Sequence, residues 1–495
     1  MQETAHRKTP LQGCLMGIDI GTTSIKGGLF SASGEAIALA SVAYPTTRPH
    51  PGHVEQNPQD WLDGVWTVVD RLFAHGLSWR DVAAVGACSQ VNTHAFVDAD
   101  GRPLAQAIVW QDTRATDAAA ALDAQIDPAQ RERWWKSNMT VSASHTLARM
   151  EWMSKHRPDV WQRTAMVVSP KDFVLRHLTG RWTADPLSCF DFVDGAGCAI
   201  DSLIALVPGA AKRLPPLSPY RAVVGFGTHA RLAGSSVLFV TGTMDAFSGL
   251  LGAGASMPGE GAYTSGTSEI LAQISSAPSG APGIVSFLPV DGLHVQAGPT
   301  QSGGDTLRWL ATLLRQTPEA VLKAAESASR EPHEQLLFLP HLQGERAPLW
   351  DMAARGSFLG MNAGTGMPEF ALAALEGVAC SARLVFDALQ MAAGARCPQL
   401  FLGGGGARSD FWSQLRADAL GVPLQRVACL DTGVVGAAIM GGVGAGIFDS
   451  LAQGVQRLVR VERVFVPDPS MAGRYRRMMR RYVAAYEALK PVYRS

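Results

Sequence analysis

The sequence predicts an α/β protein made of two halves that share one strand–turn–strand plan. Three observations carry this. Short apolar runs of strand length alternate with longer stretches of helical length, as in sheets covered by helices. Gly is 51 of 495 residues and gathers in short motifs between the apolar runs, with no low-complexity tract or long linker. Finally, Met16-Gly17-Ile18-Asp19-Ile20 running into Gly21-Thr22-Thr23-Ser24 is echoed about half a chain later by Gly261-Ala262-Tyr263-Thr264-Ser265 running into Gly266-Thr267-Ser268. In both, a strand meets a small hydroxyl-bearing turn and a second strand follows, so two similar halves facing a cleft are the simplest architecture. Pro and Gly concentrate at Gly254–Gly259, which places a first domain over 13–254 and a second over 260–490.

In chain order, apolar runs bounded by turn residues predict strands over Cys14–Ile20, Ile25–Phe30, Val82–Cys88, Ala165–Ser169 and Val237–Val240. The second half adds Gly261–Thr264, Ile270–Ile274, Leu336–Leu339, Leu400–Leu402 and Leu424–Val427. Helices are predicted between them, over Pro58–Ala74, Thr116–Gln125, Leu147–Lys155, Asp305–Leu314, Pro318–Ser329, Met367–Ala392, Arg408–Gly421 and Met471–Leu489. Asn57-Pro58 reads as a helix start.

Composition narrows the function. Lys+Arg and Asp+Glu are 43 each, so the net charge is zero. That balance argues against nucleic acid and against a polybasic membrane anchor. Hydrophobic residues are 47% and charged residues 17%, enough apolar surface for a large core. Seven cysteines without a Cys-x-x-Cys pair predict reduced, mostly buried thiols. Met1–Pro10 is polar and predicts no secretory leader. The longest uncharged run, around Val434–Phe448, is mostly Gly and Ala and falls short of a membrane span. A cytoplasmic protein is the expectation.

The chemistry concentrates in a few motifs. Asp19-Ile20-Gly21-Thr22-Thr23-Ser24-Ile25-Lys26 offers a tight turn with exposed backbone N–H groups and three hydroxyls. A carboxylate at its strand end could hold a hydrated divalent cation beside terminal phosphates; an ordinary hairpin would read the same. Gly266-Thr267-Ser268 is a second such turn. No Walker A sequence is present, and no Gly-x-Gly-x-x-Gly opens a helix after a strand. Gly403–Arg408 follows an apolar strand and precedes a helix, a flat backbone surface suited to a ribose, an adenine or a phosphate. Asp245 ends a buried strand and opens a small-residue helix. It is either a general base at a strand's C-terminal end or an N-cap. Val109–Arg114 and His53–Trp61 are polar-aromatic clusters that suit a polyhydroxylated ligand. His94, His145 and His341 lack metal-ligand spacing and read as polar core or surface residues; Arg474–Arg481 reads as a solvated helix face.

Taken in order, these motifs resemble the FGGY carbohydrate kinases, and within them the xylulokinase branch. The series is Gly17-Ile18-Asp19-Ile20-Gly21-Thr22-Thr23, Glu55-Gln56-Asn57-Pro58-x-x-Trp61, Trp110-Gln111-Asp112-x-Arg114, Pro170-Lys171-Asp172, Asp245, Gly266-Thr267-Ser268, Phe338-Leu339-Pro340-x-Leu342-x-Gly344-Glu345-Arg346-x-Pro348 and Gly403–Arg408. Gly356-x-Phe358-x-Gly360-Met361 and Glu369-Phe370-x-x-Ala373-Ala374-Leu375-Glu376 are similar to the family's C-terminal pattern. The resemblance implies two actin-like, ribonuclease-H-like domains flanking a catalytic cleft, with ATP and Mg²⁺ as cosubstrates. It implies Asp245 as catalytic base, Asp19 as the metal-associated carboxylate, and Gln90, Val91, Asn92, Trp110, Asp112 and Asp245 around the sugar. It implies Thr22, Thr23, Lys26, Gly266, Thr267, Gly404, Gly405 and Arg408 around the nucleotide.

Two departures concern the sugar. Gln90-Val91-Asn92-Thr93 stands where xylulokinases commonly carry Gln-Met-His-Gly, and Arg149 where they carry Lys. The expected reaction is ATP-dependent phosphorylation of a ketopentose, D-xylulose first, at its terminal hydroxyl. Ribulose, fuculose, glycerol or a tetritol are the alternative substrates, and an actin-like ATPase or a sugar-responsive regulator the alternative classes. No helix-turn-helix segment or basic patch supports a regulator. A homodimer is left open.

Overall fold

The computed structural model describes residues 13–74, 76–137, 139–278, 280–328 and 336–494; the expectations for Met1–Pro10 and for Ser329 lie outside them. The chain forms two compact units. The first runs to Gly252 and takes in Gly433–Leu458; the second comprises Ala253–Thr432 and the chain from Val459 onward.

The first unit is built on a mixed sheet in the order Ala36–Ala43, Ser24–Phe30, Cys14–Ile20, Val82–Ser89, Leu238–Val240, Val223–Phe226. The first three strands form an antiparallel meander, the next two run parallel to Cys14–Ile20, and the last is antiparallel. The second unit repeats the plan, with His294–Pro299, Glu269–Ser275 and Gly261–Ser265 as the meander, Leu400–Gly403 and Leu424–Val427 parallel to it, and Val461–Phe465 antiparallel at the edge. A short strand, Val285–Ser286, adds to its meander side. The strand–turn–strand echo in the sequence thus marks the same corner of two like sheets.

Each sheet buries its own core. In the first unit, helix Pro58–Phe73 starts at Asn57, whose side chain accepts the Gln59 N–H at 3.2 Å, and places Trp61, Val65, Val68 and Leu72 against the meander. In the second, the 27-residue helix Met367–Ala393 crosses the sheet with small residues and Leu372, Val378, Val385 and Leu389 buried.

Helix Thr432–Gly444 packs with the first unit from Gly433 onward, inside the span expected as one continuous domain over 260–490. Its fit depends on bare backbone. A Cβ on Gly17 would come within 1.9 Å of the Val434 carbonyl oxygen, and one on Gly86 within 1.9 Å of that of Ala437. The uncharged Gly/Ala run is therefore a buried helix pressed onto the first sheet. No helix among the described residues is long and apolar enough to cross a membrane.

Other elements depart in detail. Ala165–Ser169 narrows to Met166–Val168, which pairs with Ala95–Val97 outside the main sheet. The helix expected over Arg408–Gly421 starts at Asp410, because Gly405–Arg408 forms a 3₁₀ turn first. Helix Pro170–Thr179 and the edge strands Ala36–Ala43 and Val461–Phe465 add to the predicted set. The seven cysteines form no disulfide; Cys88, Cys380 and Cys397 are buried and the other four half-buried or exposed, short of the mostly buried set expected.

Candidate active site

In the first unit the candidate residues gather at one end of the sheet. Asp19 lies beside Cys88 in the parallel ladder, and Thr243 pairs with Cys88 from the other side. Asp245 follows at once, as the first residue of helix Asp245–Ala253. The turn that delivers it requires glycine: Gly242 has φ +65°, and a Cβ there would lie 1.7 Å from the Ala87 carbonyl oxygen. Burial first, and the Asp19 carboxylate second, push the Asp245 carboxyl up to about 7. Two carboxylates that resist joint ionisation at a strand end are suited to proton abstraction near neutral pH.

Lys26 is the cross-strand partner of Asp19 and so stands on the same face of the sheet. The Gly21–Ser24 turn is held by its neighbours. Gly21 N–H donates to the Ser24 carbonyl at 3.1 Å, Tyr44 Oη donates to the Gly21 carbonyl, and Gln56 Nε2 donates to the Thr22 carbonyl at 2.7 Å. Trp110 Nε1 donates to Thr22 Oγ1 at 3.0 Å. Thr23 is exposed.

Gln90, Val91 and Asn92 line a pocket together with His94, Thr146, Asp172 and Ser188. Gln90 Nε2 donates to Gln56 Oε1 at 2.8 Å. Asn92 is left-handed, φ 54°, a conformation Asn tolerates, and its Nδ2 donates to Ser144 Oγ at 3.3 Å. Gln90 Oε1 and Asn92 Oδ1 are both buried and meet no donor among the described residues. Two orphaned amide acceptors in one pocket suit a ligand that brings hydroxyl donors.

Arg149 shapes this pocket from behind. Wholly buried, it donates to the carbonyls of Asn92, Ile108 and Val109 and to His94 Nδ1. Burial, and then the Arg149 charge, hold His94 well below its ordinary range. His94 is neutral, and its Nε2 meets Thr146 Oγ1 at 3.0 Å. Both nitrogens are committed, as a polar-core reading of this histidine expects.

Asp112 departs from the expected sugar contact. Its Oδ1 accepts from Arg114 N and Nε, and its Oδ2 from Val54 N at 2.6 Å and from Arg114 Nε and Nη2. Arg114 also reaches Glu55 at 2.7 Å. Those bonds fill the carboxylate's lone pairs, so Asp112 braces the loop that carries Trp110. Lys171 and Asp172, named in the sequence motifs, form a buried trio with Asp185, which sequence reasoning missed; Lys171 Nζ lies 2.6 Å and 2.9 Å from the two carboxylates. Thr243 Oγ1 donates to Asp185, which anchors the strand before Asp245.

In the second unit the turn Gly266–Ser268 interlocks with Gly303-Gly304. Gly304 N–H donates to the Gly266 carbonyl at 2.9 Å and Asp305 N–H to that of Thr267 at 3.1 Å. Arg308 and Arg346 reach Thr267 Oγ1 and Ser268 Oγ at 3.5 Å and 3.2 Å. Gly303-Gly304 and Arg308 carried no sequence signal beyond a helix start. Gly404, φ +85°, lies where a Cβ would come within 2.3 Å of the Ser265 carbonyl oxygen. The glycine turn is thus pressed against the strand that feeds the Gly266–Ser268 turn, with Gly405 and Arg408 exposed on it.

Among the described residues no three His, Cys, Asp or Glu side chains gather to hold a metal. Mg²⁺ fits this all the same, because it keeps several waters and takes one or two carboxylates beside substrate phosphates. Asp19, whose charge acts on Asp245, would supply such a carboxylate.

The model of the FGGY family of carbohydrate kinases, N-terminal domain, matches residues 14–252, and that of its C-terminal domain matches 261–445. A xylulose kinase of Staphylococcus epidermidis is 28% identical, with 96% of this chain and 97% of the relative covered. A glycerol kinase of a Geobacter species is 30% identical over 89% of this chain and 92% of its own. The crystal structure of xylulose kinase from Rhodospirillum rubrum superposes with a TM-score of 0.84 at 28% identity, covering 97% of this chain and all (100%) of that one.

Proposed function

The chain belongs to the FGGY family of carbohydrate kinases, ATP-dependent phosphotransferases of the actin-like fold, and from that premise we propose that it phosphorylates a ketopentose, D-xylulose first among them. The observation that carries the reading is the pocket holding Gln90 Oε1 and Asn92 Oδ1 without donors, in the same unit as a carboxyl at about 7. In this reading the sugar's hydroxyls donate to the two amides while Trp110 presents an aromatic face. Asp245 takes the proton from the terminal hydroxyl as its oxygen attacks the γ-phosphorus in line. Thr22 and Thr23 in the first unit, and Gly266 and Thr267 in the second, offer hydroxyls and backbone N–H groups to phosphate oxygens. Gly404, Gly405 and Arg408 receive the adenosine. Asp19 would hold Mg²⁺ through its water shell, and the bound ion would supply neutralisation of the phosphate charge.

The xylulose assignment is supported by the full-length relatives and opposed at two positions, Asn92, where the resemblance calls for His, and Arg149, where it calls for Lys. The Geobacter glycerol kinase, at similar identity, keeps polyols as a second reading. Sugar-stimulated ADP release, measured over xylulose, ribulose, fuculose, gluconate, glycerol and erythritol, decides between them. The expected result is highest kcat/KM with D-xylulose; a preference of ten-fold or more for glycerol would overturn it. The adenosine assignment has its own test. Alanine at Gly404 forces a left-handed backbone and a clash, so Gly404→Ala should raise the ATP KM roughly ten-fold, about 1.4 kcal/mol. The sugar KM should hold.

A further inference from the structure

We propose that Arg416 is a positioning residue that locks the two nucleotide turns of the second unit to each other. This rests on the reading of Gly266–Ser268 and Gly403–Arg408 as the nucleotide's contacts. Arg416 projects from helix Asp410–Leu420 and is wholly buried, as is Glu269 opposite it. Its Nη2 donates to Ser265 Oγ at 2.7 Å and to Glu269 Oε1 at 2.9 Å, and its Nη1 donates to the Gly406 carbonyl at 3.1 Å. Ser265 is the last residue of the strand that enters the phosphate turn, and Gly406 lies inside the glycine turn. One guanidinium therefore spans both. Its plane is fixed by the Trp412 ring, 3.8 Å away, and it also lies 5.6 Å from the Tyr263 ring. Ser265 Oγ closes the triangle by donating to Glu269 Oε1 at 3.1 Å. Glu269 extends the brace to the third loop. Its backbone N–H donates to the Ser302 carbonyl at 3.0 Å and to Thr300 Oγ1 at 3.1 Å, just before Gly303-Gly304.

A buried ion pair adds little net stability over an apolar pair of the same volume, because desolvation offsets the attraction. What it supplies is direction. Arg offers a rigid planar fork of donors, whereas the ammonium of Lys is a single point on a flexible stem. Lys at this position keeps the charge beside Glu269 but cannot hold Ser265 and Gly406 at once. The turns would then stand slightly out of register, and a ligand that contacts both would feel it.

The test uses the full-length protein with ADP as the probe, by titration calorimetry, alongside steady-state kinetics. Arg416→Lys should fold, weaken ADP and raise the ATP KM by about ten-fold, and leave the sugar KM within about two-fold. Ser265→Ala, which keeps the ion pair and removes one link, should do the same to a lesser degree, about three-fold. Equal loss of nucleotide and sugar affinity in step with a lowered Tm would overturn the proposal in favour of a general structural role. Unchanged ADP affinity in both variants would overturn it too. If the wild-type protein bound no ADP, the nucleotide reading of the turns would fall first and this inference with it; wild-type binding with indifferent variants sinks the inference alone.

Discussion

Asp245→Asn should lose about 10²–10⁴-fold in kcat, the usual contribution of a positioned base, while ATP and sugar still bind. Asn keeps the shape and size of the side chain and cannot accept the hydroxyl proton. Two further readouts separate a base from a helix cap. The first is pH. Burial and the Asp19 charge hold the folded carboxyl at about 7, far above its ordinary 3.8. A base must be ionised, so wild-type kcat/KM should fall as pH drops through about 7, and the residual activity of Asp245→Asn should lack that limb. The second is stability. A carboxyl whose folded pKa lies above its unfolded one binds its proton more tightly when folded. The folded state then loses stability as pH rises from the unfolded value to about 7, and does not regain it above. Asn removes that cost, so the variant should melt higher than wild type at pH 8. If Asp245 were only an N-cap, Asn would cap the helix equally well and leave the melting point where it was. Near-normal turnover with an unchanged Tm at pH 8 would return Asp245 to the capping role.

What could be seen in the sequence follows from where the information is local. The two Gly-Thr turns and Gly403–Arg408 announce themselves because a tight backbone and small hydroxyls occupy consecutive positions, and their strands are short apolar runs. Helix Thr432–Gly444 was invisible as an element of the first unit. Its Gly and Ala have no apolar period, and the reason for them is the distant backbone of Gly17 and Gly86. The bonds of Asp112 are hidden from the sequence for a related cause. Its partners are Arg114, two residues away, and Val54, far off in sequence, and residue type alone cannot tell a carboxylate that is free for a ligand from one already saturated. Asp185 and Arg416 carry the same lesson. Each is a buried charge whose partners come from distant parts of the chain, and nothing in its immediate neighbours marks it.

Asn92 should set the sugar selectivity, and the structure sharpens how to test it. Alanine there removes the amide but also forces a left-handed backbone, φ 54°, on a residue that resists it by about 1–2 kcal/mol. Glycine removes the amide and keeps that backbone at no steric cost. The two variants together separate chemistry from strain. Arg149 holds the Asn92 carbonyl and not its side chain, so the backbone of the pocket should survive either change. The orphaned Oδ1 is the atom at stake. A sugar hydroxyl that donates to it would be left unpaired and desolvated in the variant, which costs about 1–3 kcal/mol. Asn92→Gly should therefore raise the sugar KM, or lower kcat/KM, by roughly ten- to a hundred-fold, and Asn92→Ala by at least as much. The ATP KM should move little in both. Asn92→His also tolerates the left-handed backbone and offers a longer reach, so it should reorder the pentuloses without abolishing turnover. If Asn92→Gly left sugar kinetics untouched, Gln90 Oε1 would be the remaining open acceptor of the two, and the sugar would have to lie against Gln90 and away from Asn92.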